Sequence, residues 1–260
     1  MKTFLRQMSA LLRLSFLELW RRNDVFGLLI LALAVMAPLA MATPFGATGA
    51  SRYLDEAALL LIWGFSLFIA LGTGARLFPP EFASRTIYPL LAKPISRTRL
   101  LLGKYLGAVA AAASALTLFY LLFALSVGLR GGGWFAGDLL QAFVLHLAFV
   151  AVAVALALLG SLVLTASASH ALCGIVLVAM FFFGRKLPQF AQGVSAPASW
   201  LVNLAYAVAP HAEFFDMRQR VIHGWGSVGC GAFAAVICYA TVYIAALLAA
   251  AALVLRRRRI

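Results

Sequence analysis

Charged residues are scarce in this sequence, and acidic residues are the scarcest. Only 11% of its 260 residues are charged, and 8 aspartates and glutamates stand against 21 lysines and arginines. A soluble globular domain carries roughly 25% charged residues, because much of its surface remains in contact with water. Here 64% of the residues are hydrophobic. The composition therefore excludes a water-soluble fold and indicates an integral membrane protein.

Several sequence signatures of catalysis and metal binding are also missing. The three cysteines have no metal-ligand spacing and are interpreted as small buried hydrophobic residues. The sequence contains no GxxxxGK[ST] phosphate loop, no GxSxG elbow, no HExxH motif and no pair of carboxylates within an apolar stretch. Ion-coupled carriers usually place charged groups within their spans. We therefore expect a chain that is not an enzyme, holds no cofactor or metal, and draws no energy from an ion gradient.

Long uncharged stretches predict a single all-α membrane domain, residues 1–260, with six transmembrane helices. A spanning helix needs about 20 apolar residues. The stretch 139–184 has no Asp, Glu, Lys or Arg and is long enough for two spans. Its turn is predicted at 166–170, where Ser167 and Ser169 are small and polar. The six spans are predicted at about residues 25–43, 57–76, 103–129, 139–165, 170–184 and 227–255.

The distribution of basic residues predicts the orientation, because cytoplasmic flanks are enriched in Lys and Arg. With six spans, fifteen basic residues share the side that holds both termini, and six share the other side. Both termini are therefore expected in the cytoplasm. The formal charge of +13 lies mostly in these flanks. It requires no nucleic-acid partner, and we expect none.

Two further segments are predicted to lie along the membrane. Residues 3–20 place large apolar residues at helical spacing beside basic ones, which is typical of an interfacial helix. The alternative is an N-terminal extension frayed in water. The outer loop 185–223 contains an apolar stretch, 197–210, that is too short to span. It is predicted to be a re-entrant or interfacial segment before the last span.

Histidines give two candidate polar sites. His146 lies deep in a predicted span, where it is either a functional residue or a hydrogen-bonding partner of a neighbouring helix. In the outer loop, four residues could be drawn as a metal site, although polar residues at a wet membrane edge are much commoner than ligands. These four are His211, Glu213, Asp216 and His223.

The cytoplasmic segment 80–99 is the most informative part of the chain. Pro79 and Pro80 are predicted to end the second span, and Pro94 breaks the chain again before Ser96, which is placed to cap the third span. A short helix between the prolines would carry Glu81 four residues from an arginine, a spacing that suits an ion pair. A plain structural loop would explain the arginines. It would not explain four large apolar residues facing the cytoplasm, which favour a docking partner: Phe82, Ile87, Leu90 and Leu91.

These motifs resemble those of type-2 ABC transporter permeases, and most closely the branch that includes the permease of the copper-enzyme (nitrous oxide reductase) maturation system. The cytoplasmic pattern is present as Glu81, Arg85-Thr86-Ile87, Leu90-Leu91, Lys93-Pro94-Ile95-Ser96-Arg97 and Gly103-Lys104. The branch's outer pattern, Pro-x-x-Glu-x-Phe-x-x-Arg, is present as Pro210, Glu213, Phe215 and Arg218.

The resemblance implies the permease subunit of an ABC transporter, an exporter of the bacterial inner membrane. In such families the cytoplasmic segment is a coupling helix seated in an ATPase subunit, which binds ATP and Mg²⁺. Two permease copies or paralogues enclose the pathway within the lipid bilayer. The alternative is a scaffold or regulatory subunit that assembles with an ATPase but does not transport. The coupling interface would comprise Glu81, Arg85, Thr86, Ile87, Leu90, Leu91, Lys93, Pro94 and Arg97.

The orientation can be tested with topology reporters. Reporters fused after Ile260 and within residues 85–97 should both report the cytoplasm, because both positions lie on the side of the membrane that has more basic residues. A reporter near Gln192 should report the opposite side. An outward C-terminus would contradict the even number of spans.

Overall fold

The structure is a computed structural model that describes residues 50–84, 96–129 and 136–257, together with isolated residues between 10 and 37. Within the three continuous ranges the chain is helical and forms no β-strand. The predicted interfacial helix 3–20 and the first predicted span, 25–43, lie outside those ranges.

Five long helices in the described ranges are apolar enough to cross a membrane. They confirm the predicted all-α integral membrane fold and correspond to the last five of the six predicted spans. These helices are α1 (Ala50–Ala75), α3 (Arg97–Leu129), α4 (Ala136–Ser161), α5 (Ala166–Phe183) and α9 (Cys230–Arg257). Helix α1 packs along α4 and against α3 and α5, while α9 packs on α4 and α3.

The turn between α4 and α5 corrects one prediction. It lies at residues 162–165, four residues before the predicted turn at 166–170. Thr165 accounts for the difference, because it caps α5 by accepting a hydrogen bond from the backbone N–H of Ala168 at 3.4 Å. The predicted spans 139–165 and 170–184 are therefore displaced, and α5 begins at the residue after the cap.

Ser169, predicted as part of the turn, lies in the first turns of α5 and holds it against α4. Its hydroxyl donates to the carbonyl of Ala157 at 3.0 Å. Gly160 permits this approach, since a Cβ there would collide with the Ser169 side chain. The small polar residues that indicate a turn in the sequence are thus used for close helix packing.

A second correction concerns the prolines after α1. Helix α1 ends at Ala75, before the prolines, and Pro79 and Pro80 begin the short helix α2 (Pro79–Ala83). Proline is tolerated in the first turn of a helix because the backbone N–H it lacks has no helical partner there. The prolines therefore start a second helix close to the membrane edge, rather than ending the first.

The predicted outer loop is folded into short helices between α5 and α9. Helices α6 (Leu187–Gln192), α7 (Ala196–Val208) and α8 (Arg218–His223) are accompanied by a 3₁₀ turn, Ala212–Phe215. On α7, Trp200 is 63% exposed and Leu201 is 59% exposed. A helix with such an apolar surface at this end of the bundle suits the predicted interfacial segment.

A close contact between α1 and α4 gives a stability prediction. A Cβ at Gly74 of α1 would lie 2.8 Å from both the Ala157 Cβ and the Val154 carbonyl oxygen of α4. Gly74→Ala should therefore destabilise the fold by about 1–3 kcal/mol through overpacking. The control is Gly64→Ala on the same helix, where no described atom lies within 4 Å of the added Cβ. Thermal unfolding in detergent should show a lower Tm for the first variant only. Equal Tm values would contradict this packing.

Candidate functional site

Segment 80–99, which is predicted to be cytoplasmic, is described at its two ends. Its central part, residues 85–95, lies outside the described residues. Seven of the nine predicted interface residues fall there: Arg85, Thr86, Ile87, Leu90, Leu91, Lys93 and Pro94. The other two, Glu81 and Arg97, are described, and each contacts a membrane-spanning helix.

At the first end, Glu81 of α2 forms an ion pair with Lys104 of α3. The Lys104 ammonium also donates to the carbonyl of Leu77 at 3.0 Å and lies 5.3 Å from the centre of the Phe78 ring. Lys104 is 5% exposed. Lys104, at the start of α3, thus contacts both the bend after α1 and the helix α2. The three parts of the chain meet at this one buried charge.

The ammonium group of Lys104 tolerates this burial because a carboxylate and a carbonyl are available to it inside the fold. The same geometry bears on the expected partner of Glu81. The predicted partner of Glu81 is Arg85, four residues away, whereas the structure pairs Glu81 with a lysine 23 residues away. Arg85 itself lies outside the described residues.

At the second end, Arg97 contacts the last spanning helix. Its guanidinium donates to the carbonyls of Leu255 at 3.0 Å and of Arg256 at 3.3 Å, near the end of α9. Cations stabilise helix C-termini, where carbonyl groups lack partners within the helix. Ser96 caps α3 as the sequence predicts, accepting from the Arg99 N–H at 3.4 Å.

His146 connects three spans through hydrogen bonds. Its Nε2 lies 2.7 Å from the Ser66 hydroxyl of α1, and its Nδ1 lies 3.2 Å from the Tyr120 hydroxyl of α3. Ser66 donates to the Trp63 carbonyl at 3.0 Å, so Ser66 accepts from His146 Nε2–H, and Nδ1 accepts from Tyr120. Both ring nitrogens of this buried histidine therefore have partners on neighbouring helices.

The outer motif packs over this polar cluster. Phe215 is buried, with its ring 5.9 Å from that of Phe149 on α4. Arg218 pairs with Asp216 at 2.9 Å and lies 4.7 Å from the centre of the Phe181 ring on α5. A small cavity of about 10 Å³, close to the volume that one water requires, separates Asp216 and Arg218 from His146.

The other two outer-motif residues are buried beside α5. Pro210 is buried, and Glu213 is 4% exposed. The Glu213 carboxylate fills the space that a Cβ at Gly184 would take, and no described residue donates a hydrogen bond to it. His211 Nδ1 lies 3.3 Å from Glu213 Oε1, so the two groups form an ion pair when the imidazole is protonated.

Of the four residues drawn as a metal site, His211 and Glu213 lie together, whereas Asp216 and His223 have other partners. Asp216 binds Arg218, and His223 contacts the Gln219 carbonyl at 3.0 Å. Within the part of the chain that the structure describes, no three His, Cys, Asp or Glu side chains converge as metal ligands would.

An apolar groove of about 360 Å³ lies between α1 and α5. Trp63 forms part of its wall, stacked between Phe149 at 4.6 Å and Phe181 at 3.7 Å between ring centroids. Its other lining residues include Leu67, Phe68, Leu71, His170, Gly174 and Val178. The apolar lining of the groove suits contact with another hydrocarbon surface.

The His146 contacts predict a graded loss of stability. His146→Leu leaves the buried Tyr120 hydroxyl without its acceptor and should cost about 1–3 kcal/mol. Tyr120→Phe removes only the donor of that bond and keeps the bond between His146 Nε2 and Ser66, so it should cost less, about 0.5–1.5 kcal/mol. Thermal unfolding in detergent compares the two variants. A His146→Leu variant as stable as the unaltered chain would contradict a structural role for this network.

One family of known proteins matches the chain over the helices described above. The model described as "ABC-2 family transporter protein" matches residues 22–259 and so includes all five described spans, α2 and the outer motif. No curated protein matches the chain. The predicted resemblance to type-2 ABC permeases is confirmed at the level of the family, and the chain belongs to the ABC-2 family of transporter proteins.

Proposed function

We propose that this chain is the permease subunit of an ATP-driven exporter, driven through segment 80–99 by a separate pair of ATPase subunits. The family supports a transport role, and the absence of a phosphate loop from the sequence requires another chain to hydrolyse ATP. One observation carries the assignment of the segment. Its two ends are bound to spanning helices, Glu81 to α3 and Arg97 to α9, so a force on the segment acts on the bundle.

The pathway of this exporter would lie between two permease subunits, either identical copies or paralogues, in the bacterial inner membrane. The groove between α1 and α5 supports this arrangement, because it opens at the side of a single subunit and offers an apolar surface to a second one. Only 22% of the most apolar stretch of the helical region that contains α5 is buried within the chain. Within the family, the cytoplasmic motif favours the branch of the copper-enzyme maturation permease.

Docking to the ATPase is expected to depend on the apolar residues of the segment. Covering a leucine side chain at an interface contributes roughly 1.5–3 kcal/mol. Leu90→Asp or Leu91→Asp should therefore weaken ATPase association about tenfold or more, while membrane insertion is retained. The measurement is copurification of the ATPase with the tagged permease in mild detergent.

The matched control is Leu201→Asp, the same change at an exposed position of α7, which is predicted to lie on the opposite side of the membrane. It should retain ATPase association. Full association of both Leu90→Asp and Leu91→Asp would place the docking surface elsewhere. An ATPase that copurifies, but whose rate is unaffected by the permease, would instead indicate a scaffold or regulatory subunit.

A further inference from the structure

Lys104 is the basic side chain that lies buried in the described part of the chain. It belongs to the second turn of α3, which begins at Arg97. A buried ammonium is costly unless opposite charge and hydrogen-bond acceptors surround it. Its position therefore needs an explanation beyond the enrichment of lysine at membrane edges.

The contacts of Lys104 come from two elements that precede α3. Leu77 lies between α1 and α2 and supplies a carbonyl at 3.0 Å, while Glu81 of α2 supplies the carboxylate. No second described residue donates to Glu81, whose Oε2 is buried without a hydrogen bond. The lysine is thus the described link between α2 and the spanning helix that follows it.

Because Lys104 would be buried without its counter-charge if Glu81 moved away, α2 and the start of α3 are expected to move together. Helix α2 has only five residues and is connected to α1 by a short bend, residues 76–78. It cannot tilt freely about that bend while Glu81 remains attached to α3. A displacement of α2 is therefore transmitted to the end of α1 and to α3.

Arg97 extends the same connection to a third span. It lies two turns before Lys104 on α3 and binds the carbonyls of Leu255 and Arg256 near the end of α9. Movement of the first turns of α3 would thus also reach the last helix. The two contacts connect α2 with three spanning helices at the same end of the bundle.

We propose that Lys104 is the positioning residue that transmits the movement of α2 to α1 and α3, with Arg97 passing it on to α9. This inference rests on the proposed function, since an ATPase must supply the movement. The competing explanation is that the Glu81–Lys104 pair only stabilises the fold. The two explanations differ in the effect of replacing the entire pair with apolar residues.

The deciding variant is therefore the double substitution Glu81→Met with Lys104→Met. Replacing both members of a buried ion pair with apolar residues of similar size is often neutral or stabilising for a fold. If the pair acts only in stability, this variant should behave like the unaltered chain in every assay. If the pair transmits movement, the variant should fold and bind the ATPase but no longer couple to it.

Coupling is measured as the affinity of the ATPase for a non-hydrolysable ATP analogue, with and without the permease, in lipid nanodiscs. A coupled partner typically changes such an affinity about fivefold or more. We expect this change with the unaltered permease and with Lys104→Arg, which keeps the charge. With the double variant, the affinity should return to that of the ATPase alone. Leu106→Met is the control, since it introduces the same side chain on the same helix at a position that is 40% exposed and lies outside segment 80–99, and it should retain the full change.

The Tm of each variant and the amount of copurified ATPase are recorded alongside. A double variant that keeps the full affinity change overturns the inference and leaves the proposed function intact. An unaltered permease that binds no ATPase overturns the proposed function, and the inference with it. If the double variant does not fold, Glu81→Gln replaces it, because this change removes the counter-charge and preserves the shape. The same affinity change should then fall, and its full retention would overturn the inference.

Discussion

The ammonium group of Lys104 lies where the end of α1, the short helix α2 and the first turns of α3 meet. A charge at this depth is stable only with its carboxylate, so the position of Glu81 is determined by α3. That contact fixes the direction in which the chain leaves the membrane after α1. Arg97 binds the end of α9, and this contact fixes the point at which the segment rejoins the helix bundle. The positions of the two described ends of the proposed coupling region follow from these two basic side chains.

Much of the architecture could be predicted because the hydrocarbon core of a membrane restricts which sequences can cross it. Backbone polar groups in the membrane must bond within the chain, so long uncharged stretches form helices. Five of the six predicted spans correspond to helices in the described ranges. The error at 166–170 arose because small polar residues serve both in turns and in close helix contacts. Only the structure shows that Ser169 bonds to Ala157 and that Thr165 is the cap.

The polar contacts of the candidate site were harder to predict, because their partners are far apart in sequence. The rule that pairs residues four apart on a helix favoured Arg85 as the partner of Glu81, whereas the partner in the structure lies on another helix. His146 likewise bonds to Ser66, 80 residues away. The sequence marks such residues as unusual, since polar groups are rare within spans. It does not indicate which helices meet, and that information decides their partners.

Burial bears on the roles of the two sequence patterns that carry the family resemblance. The outer motif is packed into the fold, with Phe215 against α4 and Arg218 against α5. The described ends of segment 80–99 are likewise bound within the chain, through Glu81 and Arg97. In the proposed complex, docking to the ATPase would then depend on residues between them, and the apolar ones are the best suited. Anchoring and docking would thus be divided between different residues of one segment.

The most direct test of this account is site-specific photocrosslinking. A photoreactive amino acid is placed at Leu90 in the permease, and at Gln192 as the control on the opposite side. The cells then express the permease together with its ATPase. The account predicts an ATPase adduct from position 90 and none from position 192. It would be contradicted if position 90 gave no ATPase adduct although the ATPase copurified with the permease.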